Sequence, residues 1–221
     1  MALRRPARLK MFTHPRSGTH WVLRTIFENF NTPYREYMHM FGGHKFGTEF
    51  KEQFPVARIL HCSRDIQSVL TSVFRMRERN GIRMNSFSDF IRTPYRKMPR
   101  LVGKCRILFD NNMTTQPRRS WIQDQIVTPP ELWLATNTFW TIYADLTITY
   151  EQMQADQEAV MRQIDLLTGW ERKGQICLDK PVGWRPPNNK PFPISEEDQS
   201  FLQKFSAVLA SHRKELKDGK V

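Results

Sequence analysis

Cysteine is scarce in this chain of 221 residues: Cys62, Cys105 and Cys177 stand far apart and are odd in number. That spacing excludes a disulfide framework and leaves no CxxC pair for a metal or redox site, so buried thiols are expected. Six histidines occur without an HExxH pattern or a Cys/His cluster, and no metal is expected. Long hydrophobic runs are missing too. The longest stretch free of Asp, Glu, Lys and Arg is Leu132–Ala144, well short of the roughly 20 residues a spanning helix requires. Met1–Lys10 is basic, but Met11–Gly18 supplies neither an apolar signal region nor a small-residue cleavage site. A cytoplasmic protein is expected. Acidic residues are the other shortage: 22 Asp and Glu face 34 Lys and Arg, a net charge of +12. With 39% apolar and 12% aromatic residues the chain can still bury a core, which excludes a disordered polycation.

What is present alternates between two periodicities. Arg8–Thr13 reads as a strand, and after a Pro-Arg-Ser-Gly turn Val22, Leu23, Ile26, Phe27 and Phe30 recur at helical spacing. A Gly-rich segment, Phe41–Gly47, precedes a second strand at Val56–Ser63, then a helix striped by Ile66, Val69, Leu70, Val73 and Phe74. Thr128-Pro129-Pro130 opens an aromatic-rich helix to about Tyr143, and Leu146–Tyr150 reads as a third strand. Asp156–Thr168 is an amphipathic helix stopped by Gly169, and Ser195 with Asp198 starts a last helix after the Pro-rich stretch Trp170–Pro193. The alternation predicts a single α/β domain over residues 1–221, with a parallel sheet flanked by helices. It carries a basic insertion at about 75–119, where twelve Lys and Arg meet only Glu78, Asp89 and Asp110.

Two motifs carry chemistry. His14-Pro15-Arg16-Ser17-Gly18-Thr19-His20-Trp21 sets a glycine-containing turn between a strand end and a helix start. Unsatisfied N–H groups, the helix dipole and the Arg16, Ser17 and Thr19 side chains would all favour an anion there. Thr19 follows Gly18 where a Walker A loop requires Lys, so this is not that loop. Arg64 ends the second strand, where open α/β sheets bind ligands, and Ser72 lies two helical turns further on.

These residues resemble the sulfotransferases that use 3′-phosphoadenosine-5′-phosphosulfate (PAPS). That family carries a P-[KR]-S-G-T-x-W loop for the 5′-phosphosulfate and an R-x7-S element for the 3′-phosphate. Pro15–Trp21 and Arg64–Ser72 are similar to these, and Tyr150-Glu151-Gln152 with the helix end Leu166–Gly169 is similar to a third, Y-E-D element. The resemblance covers roughly residues 8–169. It implies a P-loop-like three-layer fold and transfer of a sulfuryl group from PAPS to an acceptor hydroxyl, releasing PAP. Arg16, Ser17, Gly18, Thr19 and His20 would surround the phosphosulfate, and Arg64 and Ser72 would hold the 3′-phosphate. Trp21 and Tyr150 would lie at the adenine. The family's Lys-Thr-His-Leu-Pro base segment falls where this chain has Gly43-His44-Lys45-Phe46, so His44 is the expected base, ahead of His39 and His20.

Two departures stand out. Arg16 replaces the Lys of many members, which makes it an electrostatic clamp rather than an acid. Arg172-Lys173-Gly174 spells the family's C-terminal basic element but stands well ahead of the last helix, so Arg185 is expected to contact the 3′-phosphate, ahead of Arg172. A small-molecule kinase of P-loop type is the first rival, lacking its Lys and an Asp for Mg²⁺. A nucleic-acid binder is the second, without any RNP, KH or zinc-finger pattern. The segment 75–119 leads to the expectation of an anionic acceptor, such as an acidic glycan or a phosphorylated metabolite. Acceptor KM should then rise steeply between about 0.05 and about 0.5 M salt while PAP affinity changes less. A neutral alcohol turned over best, with no salt dependence, would refute this.

Overall fold

The computed structural model describes residues 7–98, 126–174 and 192–218. They fall into two compact units, one formed by Met1–Arg64 with Phe139–Pro191 and the other by Asp65–Thr138 with Phe192–Val221.

The first unit holds a four-stranded, wholly parallel sheet. Its strands are β1 (Arg8–Thr13), β2 (Phe41–Gly43), β3 (Ala57–Ser63) and β4 (Leu146–Thr149), in the order β2-β1-β3-β4. Side chains alternate across each strand, and here both alternating sets are buried. Leu9 and Met11 of β1 and Leu60 and Cys62 of β3 join a core with Val22 and Ile26 of α1 (Thr19–Asn29). Met153 of α6 (Tyr150–Ala155) and Met161 and Ile164 of α7 (Gln157–Thr168) complete that layer. Phe12 and Ile59 point the other way and pack on Trp140, near the end of α5 (Pro129–Tyr143), with the Phe12 and Trp140 rings stacked 4.1 Å apart. Helices therefore cover both faces, as the alternating pattern requires.

Some elements depart from the sequence expectation. The Gly-rich segment contributes β2, which pairs Phe41 with Met11 and Gly43 with Phe12. A Cβ at Gly42 would sit 2.6 Å from the Phe12 ring, so the glycine that argues against a strand is what lets this strand approach. Tyr150 is not the last residue of a strand. It opens α6, where Thr149 Oγ1 accepts from the Gln152 amide and Gln152 Oε1 accepts from the Thr149 amide. The short α2 (Thr48–Glu52) also went unread in the sequence. Gly169 ends α7 as expected, with the left-handed backbone (φ 63°) that a Cβ would strain.

The second unit contains α3 (Ile66–Arg79), α4 (Phe87–Arg92) and α8 (Glu196–Lys217), with the start of α5. Phe74, Phe87, Phe90 and Phe192 pack edge to face or tilted. Several cations of the 75–119 segment have structural duties here. Arg77 is buried, Arg75 lies over the Phe192 ring at 5.2 Å, and Arg92 pairs with Asp198 and with Glu197 (3.0 Å). The end of the 75–119 segment lies outside the described residues, as do Cys105 and Cys177; Cys62 is the buried thiol expected. No described helix is long and apolar enough to cross a membrane.

Trp140 is fully buried, stacks on Phe12 and donates its Nε1–H to the Lys45 carbonyl at 3.0 Å. Trp140→Ala should cost about 3–5 kcal/mol in urea unfolding, with Trp140→Phe costing clearly less.

Candidate functional site

The strand order reverses at β1, so the crevice outside the carboxyl ends of β1 and β3 is the switch point where open α/β sheets take ligands. Both motifs emerge there. Thr13 pairs with Cys62 as the last residue of β1, the loop His14–Gly18 follows it, and Arg64 follows Ser63.

The loop is built for close approach. Arg16 takes a left-handed backbone (φ 69°) and so does Gly18 (φ 89°), a curl of the kind that gathers successive N–H groups into an anion-binding concavity. Gly18 is obligatory twice over, because a Cβ there would also meet the Tyr150 ring at 2.4 Å. Asp65, Ser86, Thr149, Asp156 and Ser195 cap α3, α4, α6, α7 and α8 with their side chains. Helix α1 starts from this loop with no side-chain cap. Three buried polar atoms on the same eight residues have no hydrogen-bond partner among the described residues: His14 Nε2, Ser17 Oγ and Trp21 Nε1. Buried polar groups are rarely left so, and together with an exposed Arg16 they fit an anionic ligand that also offers polar atoms.

Arg64 closes the constellation. Its Nη1 donates to the Arg16 carbonyl (3.3 Å) and its guanidinium lies 4.2 Å from the centre of the Tyr150 ring, which stands edge-on to Trp21 at 5.0 Å. Cys62 lies beneath, donating to the Ser17 carbonyl at 3.4 Å; burial, chiefly, pushes its thiol up to about 12, so it is an inert donor there.

Three imidazoles surround the end of β1. His61, His44 and His14 place Nδ1 at 3.0, 2.8 and 2.9 Å from the carbonyls of Phe12, Thr13 and Pro15. A carbonyl only accepts, so each Nδ1 carries the proton and each Nε2 keeps its lone pair. Burial is the main cause that brings His44 down to about 4 and His14 to about 3. His44 is further fixed by the Phe41 ring at 4.9 Å. His20, exposed on the first turn of α1, lies 3.4 Å from the Tyr37 hydroxyl, and its pKa is lowered by partial burial, then by Arg24 and Arg16. His39 is exposed and uses its carbonyl to accept from Lys10 Nζ.

The first unit thus brings Arg16, Ser17, Gly18, Thr19, Trp21, His44, Arg64 and Tyr150 to one end of its sheet. Ser72 belongs to the second unit, half-buried on α3. Arg185 lies outside the described residues. Arg172 pairs with Asp165 at 3.0 Å and bridges Phe30. It sits at the far end of α1 from the loop, about 16 Å along an 11-residue helix. Sequence reasoning missed His14 and His61, whose signal was only their position at strand ends beside a polar loop.

No family model and no curated protein matches the chain. The solved structures similar to it include two sulfotransferases. Mouse sulfotransferase SULT7A1 complexed with PAP is 12% identical, with TM-score 0.47, over 90% of this chain and 64% of that protein. A sulfotransferase from Alicyclobacillus acidocaldarius is 15% identical, with TM-score 0.45, over 94% of this chain and 85% of its own. The chain spans less than two thirds of the mouse protein's length.

Neutral His14 also makes the fold acid-sensitive. Below pH 6.5 the unfolded chain binds a proton that the folded chain refuses until about pH 3. Stability should therefore fall with pH across that window by about 1.4 kcal/mol per unit per histidine, and be unaffected by this group above it. His44 acts in the same sense down to about pH 4. Urea unfolding of His14→Asn, which keeps a donor for the Pro15 carbonyl, should show a shallower acid limb; an unchanged limb would refute the assignment.

Proposed function

We propose that this chain is a sulfotransferase that moves a sulfuryl group from PAPS to an acceptor hydroxyl and releases PAP. The observation that carries the reading is the meeting of the two sequence motifs, with Arg64 donating to the carbonyl of Arg16 beside an uncapped helix and buried, unpartnered polar atoms. A cation at the loop and a second at the neighbouring strand end suit a ligand with two anionic ends. In this reading Ser17, Thr19 and the loop amides hold the phosphosulfate end. Arg64 holds the 3′-phosphate, and Trp21 meets the base.

Transfer breaks the bond between sulfur and the bridging phosphate oxygen and forms one between sulfur and the acceptor oxygen. The acceptor proton passes to His44 Nε2, whose lone pair is held available because Nδ1–H is committed to the Thr13 carbonyl. Burial keeps that imidazole neutral, and a bound anion beside it would raise its pKa toward the working range. Arg16 and the loop amides stabilise charge gathering on the departing oxygen, so PAP leaves as an anion without a metal. The cations of the 75–119 segment support an anionic acceptor. Arg75, Arg77 and Arg92 are engaged within their own unit and are not counted in that support.

Calorimetry and turnover test the reading together. PAP should bind at least tenfold more tightly than AMP, since charged hydrogen bonds to a 3′-phosphate contribute about 1.5–3 kcal/mol each, and Arg64→Ala should erase most of the difference. His44→Ala should bind PAP normally yet turn over about 10² to 10⁴-fold more slowly. Equal affinity for PAP and AMP in the unmodified protein would sink the assignment. Near-normal turnover by His44→Ala would move the base to His39 or His20.

A further inference from the structure

The aromatic ring between the two motifs does more than line a base pocket. Ser63 and Thr149 are the last paired residues of β3 and β4, so the next residues outward, Arg64 and Tyr150, leave adjacent strands side by side. The Tyr150 ring is then fixed on three sides. Gly18 leaves room for it where a Cβ would be 2.4 Å away, Trp21 stands edge-on at 5.0 Å and 67°, and the Arg64 guanidinium covers it at 4.2 Å.

We propose that Tyr150 is a positioning residue: its ring face presets the Arg64 guanidinium, and through it the preference for a nucleotide carrying a 3′-phosphate over one without. This rests on the nucleotide assignment made above. A long arginine side chain samples many rotamers, and ordering it during binding would weaken affinity. Here the Arg64 guanidinium is held beforehand between the Tyr150 ring and the Arg16 carbonyl, 3.3 Å from Nη1. These contacts use the ring and its π face, not the hydroxyl, so Phe should serve as well as Tyr.

The experiment is a titration of PAP and of AMP, read as the ratio of their affinities so that any general loosening of the loop cancels. Tyr150→Phe should keep the ratio within about twofold, and Tyr150→Leu should lower it about tenfold. Tyr150 is a core residue, so a series of mono-, di- and trifluorophenylalanine at position 150 provides near-isosteric variants. The ratio should fall stepwise, about 3- to 10-fold across the series, as fluorine drains the ring face of negative charge. In an Arg64→Ala background the same series should leave the ratio flat. A ratio near one in the unmodified protein would overturn the nucleotide reading and this inference with it. A high ratio that ignores the fluorinated series would overturn the role of Tyr150 alone, as would a Tyr150→Phe variant that loses the ratio as fully as Leu does.

Discussion

The parallel pairing of β1 with β3 over six residues, Arg8 opposite Ala57 through Thr13 opposite Cys62, is the constraint on which the site depends. It sets the loop after Thr13 and the arginine after Ser63 at one end of the same sheet. The pairing is held by burial on both sides: Leu9, Met11, Leu60 and Cys62 on one face, Phe12 and Ile59 on the other. A slip of one residue would exchange these sets and turn the strand ends away from each other. The loop geometry is thus a consequence of core packing some distance from it.

The end of β1 meets a second demand. Its last carbonyls and the loop after it need donors where backbone pairing runs out, and three histidines supply them through Nδ1 to Phe12, Thr13 and Pro15. Burial keeps His14 and His44 neutral, which suits a site already flanked by Arg16 and Arg64 and leaves His44 with a usable lone pair. One hydrogen-bonding solution at a strand end thereby fixes the tautomer of all three rings.

Part of the positive charge in this protein has a structural use. The dense run of cations from Arg75 onward reads in the sequence as one patch. In the fold, Arg77 is buried, Arg92 ties α4 to the first turn of α8 through Asp198 and Glu197, and Arg75 lies over an aromatic ring. Charge counted along a chain overstates the field at any one surface, because pairing and stacking consume part of it.

Much of the fold was legible in the residues alone. β1, α1, β3, α3, α7 and α8 declare themselves because periodicity and capping are encoded within a few neighbouring positions, as with Ser195 and Asp198 or the left-handed Gly169. The loop motif and Arg64 were legible for the same reason. β2 was not, since its glycines argue against a strand until the Phe12 ring is in place to require one of them. Tyr150 continues the alternation of Leu146 and Ile148 and so reads as strand, while the Thr149 and Gln152 capping box makes it the first residue of α6. The sequence by itself determined which residues could bind an anion and which local elements would carry them. Only the tertiary structure decided that Tyr150 would stand against Gly18, 132 residues earlier, and beneath Arg64, and that His44 would reach the carbonyl of Thr13. Those contacts depend on strand order and register, which burial across the whole sheet selects and no short stretch of sequence contains.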